Sequence, residues 1–173
     1  MHILLGLLAA IAGAFWAFRH FMDAASEGRE AVRDVRGAFR RGKWSRKIDK
    51  RLIENLSDPR EAAAILLYQV ASYDGAVTDR QKSTIVDVMR EAFEVDEETG
   101  EGLYAFARMA VGEINDAANS LKKILRPMVE NCTDEEKASV VTMLRAVSAV
   151  EGPASDTQTR LIEETRRILL PAH

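Results

Sequence analysis

The pattern of hydrophobic and polar positions divides the chain into two parts. Residues 3–18 form an uninterrupted run of apolar and small side chains without any charge. From residue 57 onward, apolar residues recur instead at the three- and four-residue spacing of amphipathic helices. No stretch shows a convincing strand-like alternation. The pattern therefore predicts one apolar N-terminal helix followed by an all-α domain.

The apolar run is typical of a transmembrane helix. With Met1 and His2 it would extend over roughly 24 to 27 Å at about 1.5 Å per residue, slightly less than the roughly 30 Å core of a bilayer. Aromatic residues at its end suit the membrane interface. We predict an uncleaved transmembrane helix over residues 1–20, with a cleaved signal peptide and a buried soluble helix as the alternatives. The predicted anchor residues are Ile3, Leu4, Leu5, Leu7, Leu8, Ile11, Phe15, Trp16 and Phe18.

Small residues in this segment recur at four-residue spacing. Ridges of this kind let two membrane helices approach closely, so one interpretation is a homodimer through the anchor. The other is that glycine and alanine are simply common in membrane helices. The candidate packing residues are Gly6, Ala10, Gly13, Ala14 and Ala17.

Charge is distributed unevenly along the rest of the chain. Residues 19–51 hold 11 Lys or Arg against 5 Asp or Glu, whereas residues 52–173 hold 13 against 22. The positive-inside rule then places the C-terminal domain in the cytoplasm, at the inner membrane. Residues 21–47 are predicted to form a basic helical stalk that contacts anionic lipid, at roughly 1 kcal/mol per cation. The acidic domain disfavours nucleic acid as a partner, and the single cysteine, Cys132, suits a cytosolic domain.

Capping sequences mark the helix starts in the predicted domain, residues 48–173. Each places an Asp, Ser or Thr three residues before Glu or Gln, and they begin at Asp58, Thr78, Thr133 and Ser155. Two further helices are predicted between the second and third caps. Their apolar faces carry Leu103, Phe106, Ala107, Ala110, Val111 and Ile114 in one, and Leu121, Ile124, Leu125, Met128 and Val129 in the other.

An internal repeat relates the two ends of this domain. A shift of 77 positions aligns Leu67 with Leu144, Val70 with Val147, Asp74 with Glu151, Gly75 with Gly152, Asp79 with Asp156, Gln81 with Gln158 and Ile85 with Ile162. Each half reads as helix, acidic turn and helix. We therefore predict a compact helical bundle built from a duplicated helix-turn-helix unit, with the two acidic turns near one another.

The acidic turns are the candidate metal site. They are not EF-hand loops, because Asp79 and Ile85 occupy the positions that need glycine and glutamate. If the turns converge, their carboxylates could hold a divalent cation, and no other cofactor is expected. The alternative is that these acids only stabilise helix N-termini. The candidate metal ligands are Asp74, Asp79, Glu151 and Asp156.

The two turns also carry a family resemblance. Tyr73-Asp74-Gly75-Ala76-Val77-Thr78-Asp79 and Val150-Glu151-Gly152-Pro153-Ala154-Ser155-Asp156 resemble the turns of the tellurite-resistance TerB-like domain, over about residues 50–170. The resemblance implies an all-α fold of two similar halves with acidic turns. The family commonly has Glu where this chain has Gln81 and Gln158, which weakens the implied metal role.

The N-terminal stretch resembles a different group. Gly13-Ala14-Phe15-Trp16 and His20-Phe21-Met22-Asp23 are similar to the anchor of membrane-anchored DnaJ-like co-chaperones of the DjlA type. Those proteins end in a J domain with a His-Pro-Asp tripeptide. The histidines here are His2, His20 and His173, and proline follows none of them. We therefore do not expect this sequence to stimulate Hsp70 directly.

The sequence offers no catalytic constellation. The three histidines lie at the membrane end, in the stalk and at the last residue, so no histidine-based triad is expected within the domain. Phosphate-binding glycine loops are also absent, and we do not expect an enzyme. The predicted function is a membrane-anchored TerB-like scaffold or stress-response adaptor that binds a protein partner of unknown identity. The alternatives are a divalent-metal-responsive sensor that uses the acidic turns and a co-chaperone adaptor without a J domain.

Overall fold

Six α-helices and one short 3₁₀ helix make up the described part of the chain. The computed structural model describes residues 53–114 and 117–171, and the predicted anchor and stalk lie outside them. In chain order the helices are α1 Pro59–Ser72, α2 Asp79–Phe93, α3 Glu97–Ile114, the 3₁₀ helix Ala117–Ser120, α4 Leu121–Asn131, α5 Asp134–Ser148 and α6 Asp156–Leu169. These residues contain no strand, which confirms the all-α prediction for them. None of these helices is both long and apolar enough to cross a bilayer.

The predicted helix starts are confirmed by the caps. The side chains of Thr78, Thr133 and Ser155 each accept a hydrogen bond from a backbone N–H of the first turn. In return, the cap backbone N–H donates to a side-chain oxygen of Gln81, Glu136 or Gln158. At α1, Asp58 accepts from the Arg60 backbone at 2.8 Å, and Pro59 occupies the first helical position. Local capping interactions thus mark the first turn of four of the helices, α1, α2, α5 and α6.

Helix α1 lies at the centre of the bundle. Its residues 62–67 are completely inaccessible to solvent, because the helix packs against α2, α3, α4 and α5. A helix that is apolar around most of its circumference needs such a position. The neighbouring helices are amphipathic and cover it, so α1 is the element that both halves of the repeat share as a core.

The repeat is visible in the packing. Helices α1 and α2 form the first half and α5 and α6 the second, and the two first helices contact each other. Leu67 and its partner Leu144 are both fully buried, and Ile85 and Ile162 are buried at equivalent positions. The predicted bundle of two duplicated helix-turn-helix units is confirmed for the described residues.

One core prediction in α4 is wrong. Leu121, Ile124, Leu125 and Met128 are buried as expected, but Val129 is 47% exposed. At 100° per residue, position 129 lies at the edge of the apolar stripe, about 90° from its centre. Val129 therefore lies at the boundary between the buried and the exposed face of α4.

Candidate functional site

The two duplicated turns, residues 73–78 and 150–155, lie side by side. The Thr78 hydroxyl donates a hydrogen bond of 2.8 Å to Glu151 Oε1, across 73 positions of sequence. The same hydroxyl accepts the backbone N–H of Gln81 at 3.1 Å, so one side chain both caps α2 and reaches the opposite turn. The predicted convergence of the acidic turns is confirmed.

Both turns depend on a glycine in the same unusual conformation. Gly75 has a φ of +130° and Gly152 a φ of +140°. A side chain at either position would meet no atom within 4 Å, so the requirement for glycine is the backbone angle and not the available space. The duplication has therefore preserved the turn geometry as well as its residues.

The two repeat-related glutamines fasten both turns to the end of α1. Gln158 Oε1 accepts from the Ser155 backbone at 2.9 Å, while its Nε2 donates to the Val70 carbonyl at 2.9 Å. Gln81 does the same with the Thr78 backbone at 3.0 Å and, more weakly, with the Ala71 carbonyl at 3.5 Å. Both glutamines are buried.

These bonds complete the C-terminus of α1. The last four carbonyls of a helix lack partners within it. Here Gln69 O accepts from the Ser72 hydroxyl, Val70 O and Ala71 O from the two glutamines, and Ser72 O from the Gly75 backbone. The two halves of the repeat thus meet at one helix end, where each contributes one donor.

This arrangement explains why glutamine replaces the glutamate expected from the family resemblance. An amide supplies one acceptor for the cap and one donor for a carbonyl, whereas an ionised carboxylate only accepts. The third capping box provides the contrast, since Glu136 accepts from the Thr133 backbone at 2.6 Å with Oε2 and its buried Oε1 has no partner. The structural role of Gln81 and Gln158 was not predicted. Gln158 binds a carbonyl that is distant in sequence, and Gln81 binds a carbonyl at the C-terminus of α1, and neither pairing is indicated by the sequence pattern.

A polar pocket of about 240 Å³ lies between the two turns. Both halves of the repeat contribute to its walls, so neither turn forms the pocket alone. Its polar groups are the carboxylates of Asp74 and Glu151, the hydroxyls of Thr78 and Ser148, and the amides of Gln81 and Gln158. Convergent polar groups in a concave site can fix the orientation of a bound group.

Comparison with known proteins identifies a family for most of the described residues. A family model described as tellurite resistance protein TerB matches residues 60–171. The chain belongs to the TerB family. The match includes both turns and all six helices except the first residue of α1. No curated protein and no solved structure matches the chain. The predicted TerB resemblance is confirmed, whereas the DjlA-type resemblance concerns residues outside the match and stays a prediction.

The TerB domain brings together two of the four candidate metal ligands. Asp74 and Glu151 line the pocket, whereas Asp79 and Asp156 are the exposed first residues of α2 and α6 and do not line it. At those positions their charges stabilise the helix dipoles. Within residues 53–114 and 117–171, no group of three Asp, Glu, His or Cys side chains is placed to hold a metal ion. A cation in the pocket would therefore be held by Asp74, Glu151 and neutral oxygens.

The only cysteine of the chain lies at the end of α4. Cys132 is partly buried there, and burial together with nearby Glu136 raises the pKa of its thiol to about 11. The thiol is therefore protonated at neutral pH. Because the thiolate is the reactive form, the group is a poor nucleophile under these conditions.

Proposed function

We propose that this protein is a membrane-tethered binding module, in which the TerB domain holds a partner at the pocket between its duplicated turns. The observation that carries the proposal is that both halves of the repeat supply walls to one polar pocket. The apolar residues 3–18 supply the tether, and the basic stalk places the domain at the cytoplasmic face of the inner membrane. The family description, tellurite resistance, supports a role in a stress response.

The chemistry of the pocket favours a positively charged group on the partner. Most polar side-chain atoms of Gln81, Gln158 and Thr78 already form hydrogen bonds within the protein, so they contribute little to binding a ligand. Asp74 makes no recorded hydrogen bond or ion pair among the described residues, and Glu151 uses only Oε1. The charges that remain for a ligand are therefore negative, which suits a lysine or arginine side chain of a protein partner.

The tether is tested with a charge in the middle of the apolar run. An arginine at the centre of a membrane helix costs about 2.5–3.5 kcal/mol of insertion free energy. We expect the full chain to remain in the membrane fraction after an alkaline wash, and Ile11→Arg to appear substantially in the soluble fraction. Ile11→Leu is the matched control and should behave as the wild type. A wild-type chain found in the soluble fraction would contradict the tether.

The partner site is tested by crosslinking the full chain in its membrane. The pocket variant combines Asp74→Asn with Glu151→Gln, which removes two charges and keeps an acceptor for Thr78. The control combines Asp79→Asn with Asp156→Asn, which removes the same charge outside the pocket. We expect a protein captured by the wild type and the control to be lost from the pocket variant. Equal capture by all three forms, or recovery of this chain alone, would exclude the pocket as the partner site.

The convergence of Asp74 and Glu151 also favours a second candidate function, a sensor of divalent cations. A cation that binds only the folded state at 100 times its dissociation constant stabilises it by about 2.7 kcal/mol. At roughly 2–4 °C per kcal/mol, the melting temperature should rise by about 5–10 °C relative to EDTA. The rise should vanish in the pocket variant and persist in the control. A melting temperature that is the same in calcium, magnesium and EDTA would eliminate the sensor.

A further inference from the structure

A second cavity, of about 390 Å³, lies between the start of α4 and the end of α6. It shares no lining residue with the pocket between the turns. Three cationic side chains line it, Lys122, Lys123 and Arg167, and Glu164 is the only acidic residue on its walls among the residues that the structure describes. Ser120, which precedes α4, also lines the cavity and makes no side-chain capping bond. The positive end of the α4 dipole thus adds to the three cations.

Within residues 53–114 and 117–171, no acidic side chain forms an ion pair with the three cations. Lys122, Lys123 and Arg167 take part in no recorded ion pair or hydrogen bond among the described residues, although Arg145 and Arg166 share Glu163 nearby in sequence. Residues 52–173 hold only 13 cations against 22 acids. The domain is net negative, so this group of neighbouring cations forms a positively charged patch on an otherwise acidic domain. An anionic ligand would remove the repulsion between them.

The same cationic surface continues along α4. Arg126 follows Lys122 by one turn on the exposed face, and the exposed Val129 and Glu130 follow Arg126, so this face of α4 carries three cations and one acid. Cations beside an exposed apolar side chain are typical of helices that rest on an anionic membrane surface. We call this face, formed by Lys122, Lys123, Arg126, Val129 and Arg167, the basic face.

The chain enters the domain at the basic face. Arg126 Nη2 donates a hydrogen bond of 3.2 Å to the Glu54 carbonyl, so the first described residues lie against α4. Residues 1–52, with the predicted anchor and the basic stalk, connect at this point. Residues 19–51 are also net positive, so the stalk has no excess of negative charge to offset the basic face. The anionic lipid beside the proposed tether does have that charge.

We propose that the cavity beside α4 binds the phosphate of an anionic phospholipid headgroup and docks the TerB domain on the leaflet from which the tether emerges. Lys and Arg bind phosphate through charge-assisted hydrogen bonds, and each cation near an anionic leaflet contributes about 1 kcal/mol. This inference rests on the proposed tether, and it adds that the domain has one defined orientation on the membrane. The pocket between the turns would then remain available to a partner.

The test uses the full chain reconstituted in vesicles of phosphatidylcholine alone or with phosphatidylglycerol. An environment-sensitive fluorophore is attached through Val129→Cys in a Cys132→Ser background. Flotation with either vesicle reports the tether, and a blue shift of the fluorophore reports docking. We expect flotation in both vesicles but the blue shift only with phosphatidylglycerol, and we expect added salt to weaken it.

Charge variants identify the site. The variant Lys122→Gln, Lys123→Gln, Arg167→Gln should lower the ratio of docked to undocked protein by a factor on the order of 100. The control Arg80→Gln, Arg108→Gln, Arg160→Gln removes the same net charge from other exposed positions and should dock as the wild type. All six residues are exposed, so the melting temperatures of both variants should match the wild type, which checks that both are folded.

The possible failures are distinguishable. Absence of flotation with both vesicles would overturn the tether and the inference together. Flotation without a blue shift, an equal shift on neutral vesicles, or equal loss in both charge variants would overturn the inference alone. Inorganic phosphate and glycerol phosphate test whether the cavity binds a soluble phosphate compound instead of the lipid headgroup. If either abolishes docking at millimolar concentration and binds without vesicles, the assignment to lipid is overturned.

Discussion

Replacement of Gln158 by glutamate is expected to destabilise the protein by about 3 kcal/mol at neutral pH. The substitution keeps the shape and the bond from the Ser155 backbone but removes the donor to the Val70 carbonyl. Two acceptors would then face each other at a site that is 2% exposed. A buried group left without its partner costs about 1–3 kcal/mol, and a charged group costs more. Urea denaturation of the full chain in detergent measures the difference.

The penalty should depend on pH. Burial disfavours the charged form, so the introduced carboxyl should have a pKa above its value of about 4.3 in the unfolded chain. The folded state then binds more protons, and the stability of the variant falls relative to wild type as pH rises above about 4. The cost of Gln158→Glu should therefore shrink toward pH 4, where the neutral carboxyl can donate to Val70 O.

The repeat supplies a matched comparison. Gln81→Glu removes the longer bond, of 3.5 Å, and should cost less than Gln158→Glu. A Gln158→Glu variant as stable as wild type at pH 7 would show that the amide donor does not hold the turn to α1.

Truncation of Leu67 to alanine should destabilise the protein by about 2–5 kcal/mol. Leu67 is fully buried in the central helix α1, and a cavity there is surrounded by several helices. Its repeat partner, Leu144→Ala, should have an effect in the same range, because that side chain is equally buried. Val129→Ala is the control and should stay within about 0.5 kcal/mol of the wild type. If Leu67→Ala cost no more than Val129→Ala, α1 would not be the shared core.

The features predicted correctly depend on local signals. A hydroxyl at Thr78 or Ser155 acts on a backbone group three residues away, so the sequence alone shows where α2 and α6 begin. The equivalence of Leu67 and Leu144 follows from the repeat, since equivalent positions in a duplicated unit occupy equivalent core positions. These two kinds of signal identified α1, α2, α5 and α6 and the convergence of the turns, whereas apolar periodicity identified α3 and α4.

The features missed depend on tertiary contacts. Gln158 donates to a carbonyl 88 positions away, and no periodicity in the sequence indicates which helix end it reaches. Asp79 was a candidate metal ligand because it is an acidic residue close to Asp74 in sequence. The structure places it at the start of α2, where it does not line the pocket. Arg167 joins Lys122 only through the packing of α6 against α4. In each case the three-dimensional arrangement decides the role of the side chain.

The central claim is that the duplicated turns form opposite walls of one pocket, and a distance measurement tests it most directly. Ala76 and Pro153 are exposed residues on the two turns, and both line the pocket. The full chain carrying Ala76→Cys, Pro153→Cys and Cys132→Ser is spin-labelled and its continuous-wave electron paramagnetic resonance spectrum is recorded. We predict strong dipolar broadening relative to the sum of the two singly labelled spectra. A doubly labelled spectrum identical to that sum would show that the turns are apart and that the pocket does not exist.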